Sequence, residues 1–218
     1  MKTFVCSTVD CPAPDIENLP DISKVIDTSK EVAEDYARKV GFVLPAIGSA
    51  QRTAAAYDYP NRNLVDATGG TSLPASVYTY MITGAGLEWA KRTISPEIMD
   101  LRYTFSTPEN SRNKLGPHCD RSRWYSLIFL LDSGGNDHYT AFYQEKGQPL
   151  LERDYGYHID DYNKLKEIHR IVLPLNRWAL INTKVLHSAE NIPGTRISYH
   201  ISFNTFPASL NLENPVYL

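Results

Sequence analysis

An all-β sandwich or jelly roll, with helices kept to the N-terminal part, is the fold class that three observations predict. The second half of the chain is a series of short runs rich in branched and aromatic residues, separated by turn signals, as in an antiparallel β fold. The composition is aromatic-rich, with 14 Tyr among 218 residues, which suits strands and an amphipathic pocket. Helical spacing occurs only early, so the order is helices first and strands after, and the helices are expected to pack against one sheet.

Each element has its own justification. Residues 1–27 read as extended and irregular, broken by Pro12, Pro14 and Pro20. Asp27 or Thr28 can cap a helix over 29–40, where Val32, Tyr36 and Val40 recur at helical spacing and Gly41 is the stop. The polar, turn-rich span 45–75 is either a lid over a pocket or a surface loop. Residues 76–83 are a strand or the start of a second helix that includes Leu87, Trp89 and Ala90. Residues 98–106 alternate as a strand, with Arg102 and Tyr103 on opposite faces. A strand over 122–131 leads to a hairpin turn at Ser133-Gly134-Gly135-Asn136, and 137–144 returns as its partner. After a polar loop over 146–167, three more strands are expected at 168–175, 177–185 and 197–206. The whole is one domain over 1–218, with helical and loop support in 1–97, the jelly-roll core in 98–206 and a tail in 207–218.

Composition excludes several function classes. Charged residues make up 22% and the formal net charge is −3, a mild balance without a basic stripe, so no nucleic-acid footprint is evident. Cys6, Cys11 and Cys119 are an odd, irregularly spaced set, which argues against a disulfide framework, and they are read as ordinary thiols. The N-terminal residues lack signal-peptide character, and no apolar run reaches the length of a membrane span. The expectation is a soluble, cytoplasmic protein in a reducing compartment.

The stretch Gly116-Pro117-His118-Cys119-Asp120 carries the chemistry. In extended backbone His118 and Asp120 point to one side and Cys119 to the other. The apolar run that follows gives the pair a rigid base. Two histidines and one carboxylate with open positions form the ligand set of non-haem Fe(II) oxygenases, so a third ligand is sought among the remaining His. His138, His158 and His169 sit at a hairpin exit or around the charged loop, and His200 lies within a strand beside Ser198 and Ser202. His187 is different: it ends the apolar run Arg177–Leu186 and is followed by a polar turn, then by Arg196-Ile197-Ser198.

A His-x-Asp pair, a distal His and a trailing Arg-x-Ser together resemble the Fe(II)- and 2-oxoglutarate-dependent oxygenase superfamily, over roughly residues 98–206. The resemblance implies a double-stranded β-helix (jelly-roll, cupin-like) core. It further implies Fe(II) on His118, Asp120 and His187, with 2-oxoglutarate and O2 as cosubstrates. Arg196 would offer a guanidinium fork to the distal carboxylate of the cosubstrate, and Ser198 a hydroxyl on the same side of the strand. Tyr103 or Arg102 is a further contact, and Arg102, Arg121, Arg123 and Tyr57 are candidates toward the substrate. For Arg121 and Arg123 a salt-bridged rim is the competing reading. Halogenating members of the superfamily lack the carboxylate; Asp120 therefore favours hydroxylation or a related oxidation. The expected substrate is a polar small molecule, an amino acid or a peptide side chain. The competing classes are a cupin-like metal dioxygenase or isomerase without 2-oxoglutarate, and a non-enzymatic ligand-binding jelly roll.

Overall fold

The computed structural model describes residues 2–14, 42–43, 75–82, 85–108, 115–121, 123–159, 161–194 and 196–218. The helix expected over 29–40 and Tyr57 lie outside them. Of Tyr103 only the backbone is described.

Two sheets contain all the named strands. The large one holds β1 (Phe4–Asp10), β2 (Phe42–Val43), β3 (Ala75–Ile82), β4 (Asp100–Pro108), β6 (Tyr125–Ser133), β10 (Trp178–Asn182), β12 (Arg196–Phe203), β13 (Asn211–Leu212) and β14 (Val216–Tyr217). The small one holds β5 (Leu115–Cys119), β7 (Tyr139–Glu145), β8 (Tyr157–His158), β9 (Leu165–Ile171) and β11 (Leu186–Glu190). The large sheet is ordered β13-β1-β10-β6-β12-β4-β3-β2, with β14 beside β1, and the small sheet β8-β5-β11-β7-β9. From β4 to β12 the chain shuttles between the sheets, so β10-β6-β12-β4 faces β5-β11-β7-β9. Every ladder between the named strands is antiparallel. That winding is a double-stranded β-helix, the jelly-roll architecture expected from the sequence.

The run Tyr125-Ser-Leu-Ile-Phe-Leu-Leu131 is apolar on both faces because both are covered. Its even-numbered residues Ile128 and Leu130 meet Phe142, Ala179, Ile181 and Val185 between the sheets. Its odd-numbered residues Leu127 and Phe129 join Trp178, Leu180, Tyr199, Ile201 and Phe203 on the outer face of the large sheet. There they meet helix α1 (Ala85–Thr93), whose stripe Leu87, Ala90 and, just past the helix end, Ile94 repeats at helical spacing. Glu88 in the first turn and Lys91 and Arg92 in the last complement the helix dipole. Residues 75–93 thus contain both of the competing elements, a strand and then a helix.

Three expectations need correction. Phe4–Asp10 is a strand rather than irregular chain: Cys6 pairs with Ile181, and Val9 with Trp178. Its apolar residues Phe4, Val5, Cys6 and Val9 are buried on both sides of the sheet, which outweighs the nearby prolines. The segment around Gly134 is not a hairpin, because β6 pairs with β10 and β12 whereas β7 pairs with β11 and β9. Its tight turn is held by Asp132 Oδ1, which accepts from Gly134 N at 2.9 Å, with Gly134 at φ 73°. Finally, the apolar run 177–186 is two strands in different sheets, broken at Thr183-Lys184. A run buried on both faces carries no alternation that would mark such a break.

Candidate metal centre and anion site

β11 is the middle strand of the small sheet, and its register places His187 beside His118 of β5. The two rings lie 4.5 Å apart between centroids. His187 is buried. Its Nδ1 is 2.9 Å from Val185 O, and His118 Nδ1 is 2.8 Å from Gly116 O. A carbonyl only accepts, so both rings carry the proton on Nδ1 and present a bare Nε2. That is the second-shell arrangement that aims imidazoles at a metal.

Asp120 follows directly after β5. Its Oδ1 is 3.5 Å from His118 Nε2, and its Oδ2 accepts from Arg123 Nε. One ligand atom each from His118, Asp120 and His187 lies within 4.8 Å of the others. Burial by itself would raise the Asp120 pKa. The Arg123 guanidinium outweighs it and holds the carboxyl well below the ordinary range. Burial, then the neighbouring His118, pushes His187 down to about 4. Two neutral nitrogens and one ionised oxygen therefore converge with no donor of their own, a set that fits one divalent cation and could hold it.

The backbone of Asp120 is fixed from behind by the turn that separates β10 from β11. Asp120 N donates to Thr183 O at 2.9 Å, and the buried Lys184 Nζ donates to Asp120 O at 2.8 Å. Further Lys184 contacts run to Arg121 O at 3.3 Å and Asp154 O at 3.4 Å. Cys119 faces away: it packs with Ala141, Tyr143 and Leu186, and its Sγ donates to Lys184 O at 3.2 Å.

Across the core, β12 turns Arg196, Ser198, His200 and Ser202 to the inner face and Ile197, Tyr199, Ile201 and Phe203 to the outer cluster. Arg196 Nη1 is buried with no hydrogen-bond partner among the described residues, and burial pushes the guanidinium pKa down to about 10. A desolvated cation with an unused donor is costly. An anion seated against it would offset that cost.

The remaining predicted residues fall in different places. Arg102 is occupied by a fork-to-fork contact with Asp100, its Nε donating at 2.9 Å. Arg123 serves Asp120. Arg121 is exposed. Tyr103 pairs through its backbone with Tyr199 and Tyr80. His138 is used structurally, its ring nitrogens 2.9 Å from Gly135 O and 3.0 Å from Leu173 O. Sequence reasoning missed two contributors. His200 was detectable by alternation from Arg196 and Ser198; Lys184 carried no local signal, since only the fold brings its side chain to the chain around Asp120.

No protein-family profile matches the chain, and no curated protein does. Among solved structures the chain is similar to the Escherichia coli ribosomal oxygenase YcfD, at 17% identity and TM-score 0.35 over 59% of this chain and 32% of that one. A second YcfD structure gives 16% and 0.37 over 63% and 36%. This chain thus spans about a third of the length of YcfD. An oxidoreductase of the 2OG-Fe(II) oxygenase family from Burkholderia pseudomallei is 12% identical, at TM-score 0.36, over 83% and 93%. At scores this low the likenesses carry nothing about the reaction. It is the strand order that makes the chain a double-stranded β-helix, and at its centre lies a His-Asp-His cluster able to hold one metal ion.

Proposed function

We propose that this chain is an Fe(II)- and 2-oxoglutarate-dependent oxygenase that hydroxylates a polar small molecule, an amino acid or a peptide side chain, with succinate and CO2 as coproducts. One observation carries the reading beyond metal binding: the buried Nη1 of Arg196, without a partner among the described residues, on the inner face of the strand that crosses the same core as the His-Asp-His cluster. A guanidinium fork in that position matches a carboxylate in shape and charge.

His118 and His187 offer Nε2 and Asp120 offers Oδ1 to the metal. Arg123 holds Asp120 Oδ2, which keeps the carboxylate ionised and oriented. Iron(II) held by such a set supplies the activation of dioxygen and the oxidising power. Arg196 neutralises the distal carboxylate of 2-oxoglutarate, and Ser198 adds a hydroxyl on the same face. Phe142, its ring centroid 6.3 Å from that of His187, brings the apolar cluster of Ile128 and Leu130 up to the metal ligands.

The test is an anaerobic titration. Protein loaded with one equivalent of Fe(II) should bind one equivalent of 2-oxoglutarate with a visible absorbance change, and a screen of amino acids, peptides and small metabolites should find one that stimulates succinate formation. Protein that takes the metal yet leaves 2-oxoglutarate unbound would move the assignment to a cupin-like metal enzyme of another kind.

A further inference from the structure

Next to Arg196 and Ser198, β12 presents a half-buried imidazole that the metal centre does not use. His200 Nε2 is 2.8 Å from Ser198 Oγ, and Nδ1 is 3.4 Å from Ser126 Oγ on β6. The charged groups facing it are the guanidiniums of Arg123, Arg196 and Arg102 and the carboxylate of Asp120. Burial first, and then the three guanidiniums, lower its pKa well below the ordinary histidine range, so the ring is neutral.

A neutral imidazole has one donor and one acceptor nitrogen, which leaves two arrangements of the Ser126–His200–Ser198 chain. In the first, Ser198 donates to Nε2, and its lone pairs are all it can offer a third group. In the second, Ser126 donates to Nδ1 and Nε2–H donates to Ser198 Oγ, so the Ser198 hydroxyl proton remains for a third group. Arg196 lies one inward position further along the same strand face and has a buried donor of its own, unused among the described residues. Beside an anion on Arg196, a donor stabilises and a lone pair repels, so the second arrangement is the one that an anion selects.

We infer that His200 is a positioning residue for the cosubstrate: as the Nε2–H tautomer it donates to Ser198 Oγ and thereby aims the Ser198 hydroxyl at the carboxylate bound by Arg196. This rests on the 2-oxoglutarate reading above. No covalent step is involved; one proton is placed and one hydroxyl is turned.

The experiment uses the full chain loaded with Zn(II), titrated with 2-oxoglutarate by calorimetry, with the His200 tautomer read by long-range nitrogen–proton NMR. His200→Phe should weaken 2-oxoglutarate by about tenfold. His200→Gln, whose side-chain amide can donate from the Nε2 position, should stay within about threefold of the parent. In a Ser198→Ala background, His200→Phe should cause no further loss, because its effect runs through Ser198. The bound parent should show His200 protonated on Nε2, and Zn(II) affinity should be the same in all variants. An Nδ1–H tautomer in the bound parent, parent-like affinity in His200→Phe, or an undiminished loss in the Ser198→Ala background would each overturn the inference while leaving the cosubstrate reading in place. A parent that takes Zn(II) and no 2-oxoglutarate overturns both. Should His200→Phe fail to fold, the tautomer and the Gln variant decide.

Discussion

Replacing Arg196 by Met separates the two halves of the site. Met keeps most of the length and apolar stem of Arg but removes the charge and the fork. Truncating one partner of a buried, hydrogen-bonded charge pair costs on the order of 2–5 kcal/mol, or roughly tens- to thousands-fold in affinity. Arg196→Met should therefore weaken 2-oxoglutarate by that factor. Iron should bind as before, because His118, Asp120 and His187 stand on other strands and loops. The ligand-free protein supplies a second, opposite sign. Burial lowers the Arg196 pKa to about 10, so desolvation works against the charged form in the ligand-free protein. Removing a desolvated cation whose Nη1 has no partner among the described residues should leave the ligand-free Tm unchanged or raise it by a few degrees, as ~1 kcal/mol moves Tm by roughly 2–4 °C at this size. The assay is an anaerobic titration of each protein with Fe(II), then with 2-oxoglutarate, beside thermal melts of the ligand-free forms. Undiminished cosubstrate affinity, or loss of iron along with it, would refute the separation of metal centre and anion site.

Four further outcomes are expected. His187→Ala should cut metal affinity strongly, since it removes one of three ligands, and stoichiometric iron in that variant by metal analysis would exclude His187 as a ligand. Cys119→Ala should retain the metal content of the parent, because its side chain packs with Ala141, Tyr143 and Leu186 and its Sγ donates to Lys184 O. Arg123→Gln should weaken metal binding by roughly 10- to 100-fold. The same change should shift the acid limit of metal uptake to higher pH, because Arg123 is the leading charge that lowers the Asp120 pKa, and a titration from pH 7 to 4 checks both effects. Ligand-free stability should fall as pH drops below about 6.5. His200 stays neutral in the fold while the unfolded chain takes up a proton there, so the unfolded state binds more protons and acid favours it. Urea midpoints across pH 7 to 4.5 should show this slope, flattened in His200→Gln.

The sequence by itself determined what depends on local periodicity. Strand alternation places His118 and Asp120 against Cys119, and it sets Arg196 and Ser198 on one face of β12, because a period of two is a property of each strand alone. The β class was equally legible, since branched and aromatic runs between turns exist before any pairing. Tertiary structure decided which strands are partners. Ser133-Gly134-Gly135-Asn136 satisfies the rules of a hairpin turn, yet in a two-sheet winding it carries the chain across to the other sheet. The run 177–186 shows no internal break because it is apolar on both faces, and only the fold opens it at Thr183-Lys184 and sends Lys184 Nζ to Asp120 O. Arg123 read as a salt-bridged rim residue first and a substrate contact second; its pairing with the Asp120 carboxylate is decided by how the loop after β5 closes. These are contacts between residues brought together by packing, and no window of sequence contains the energy that selects them.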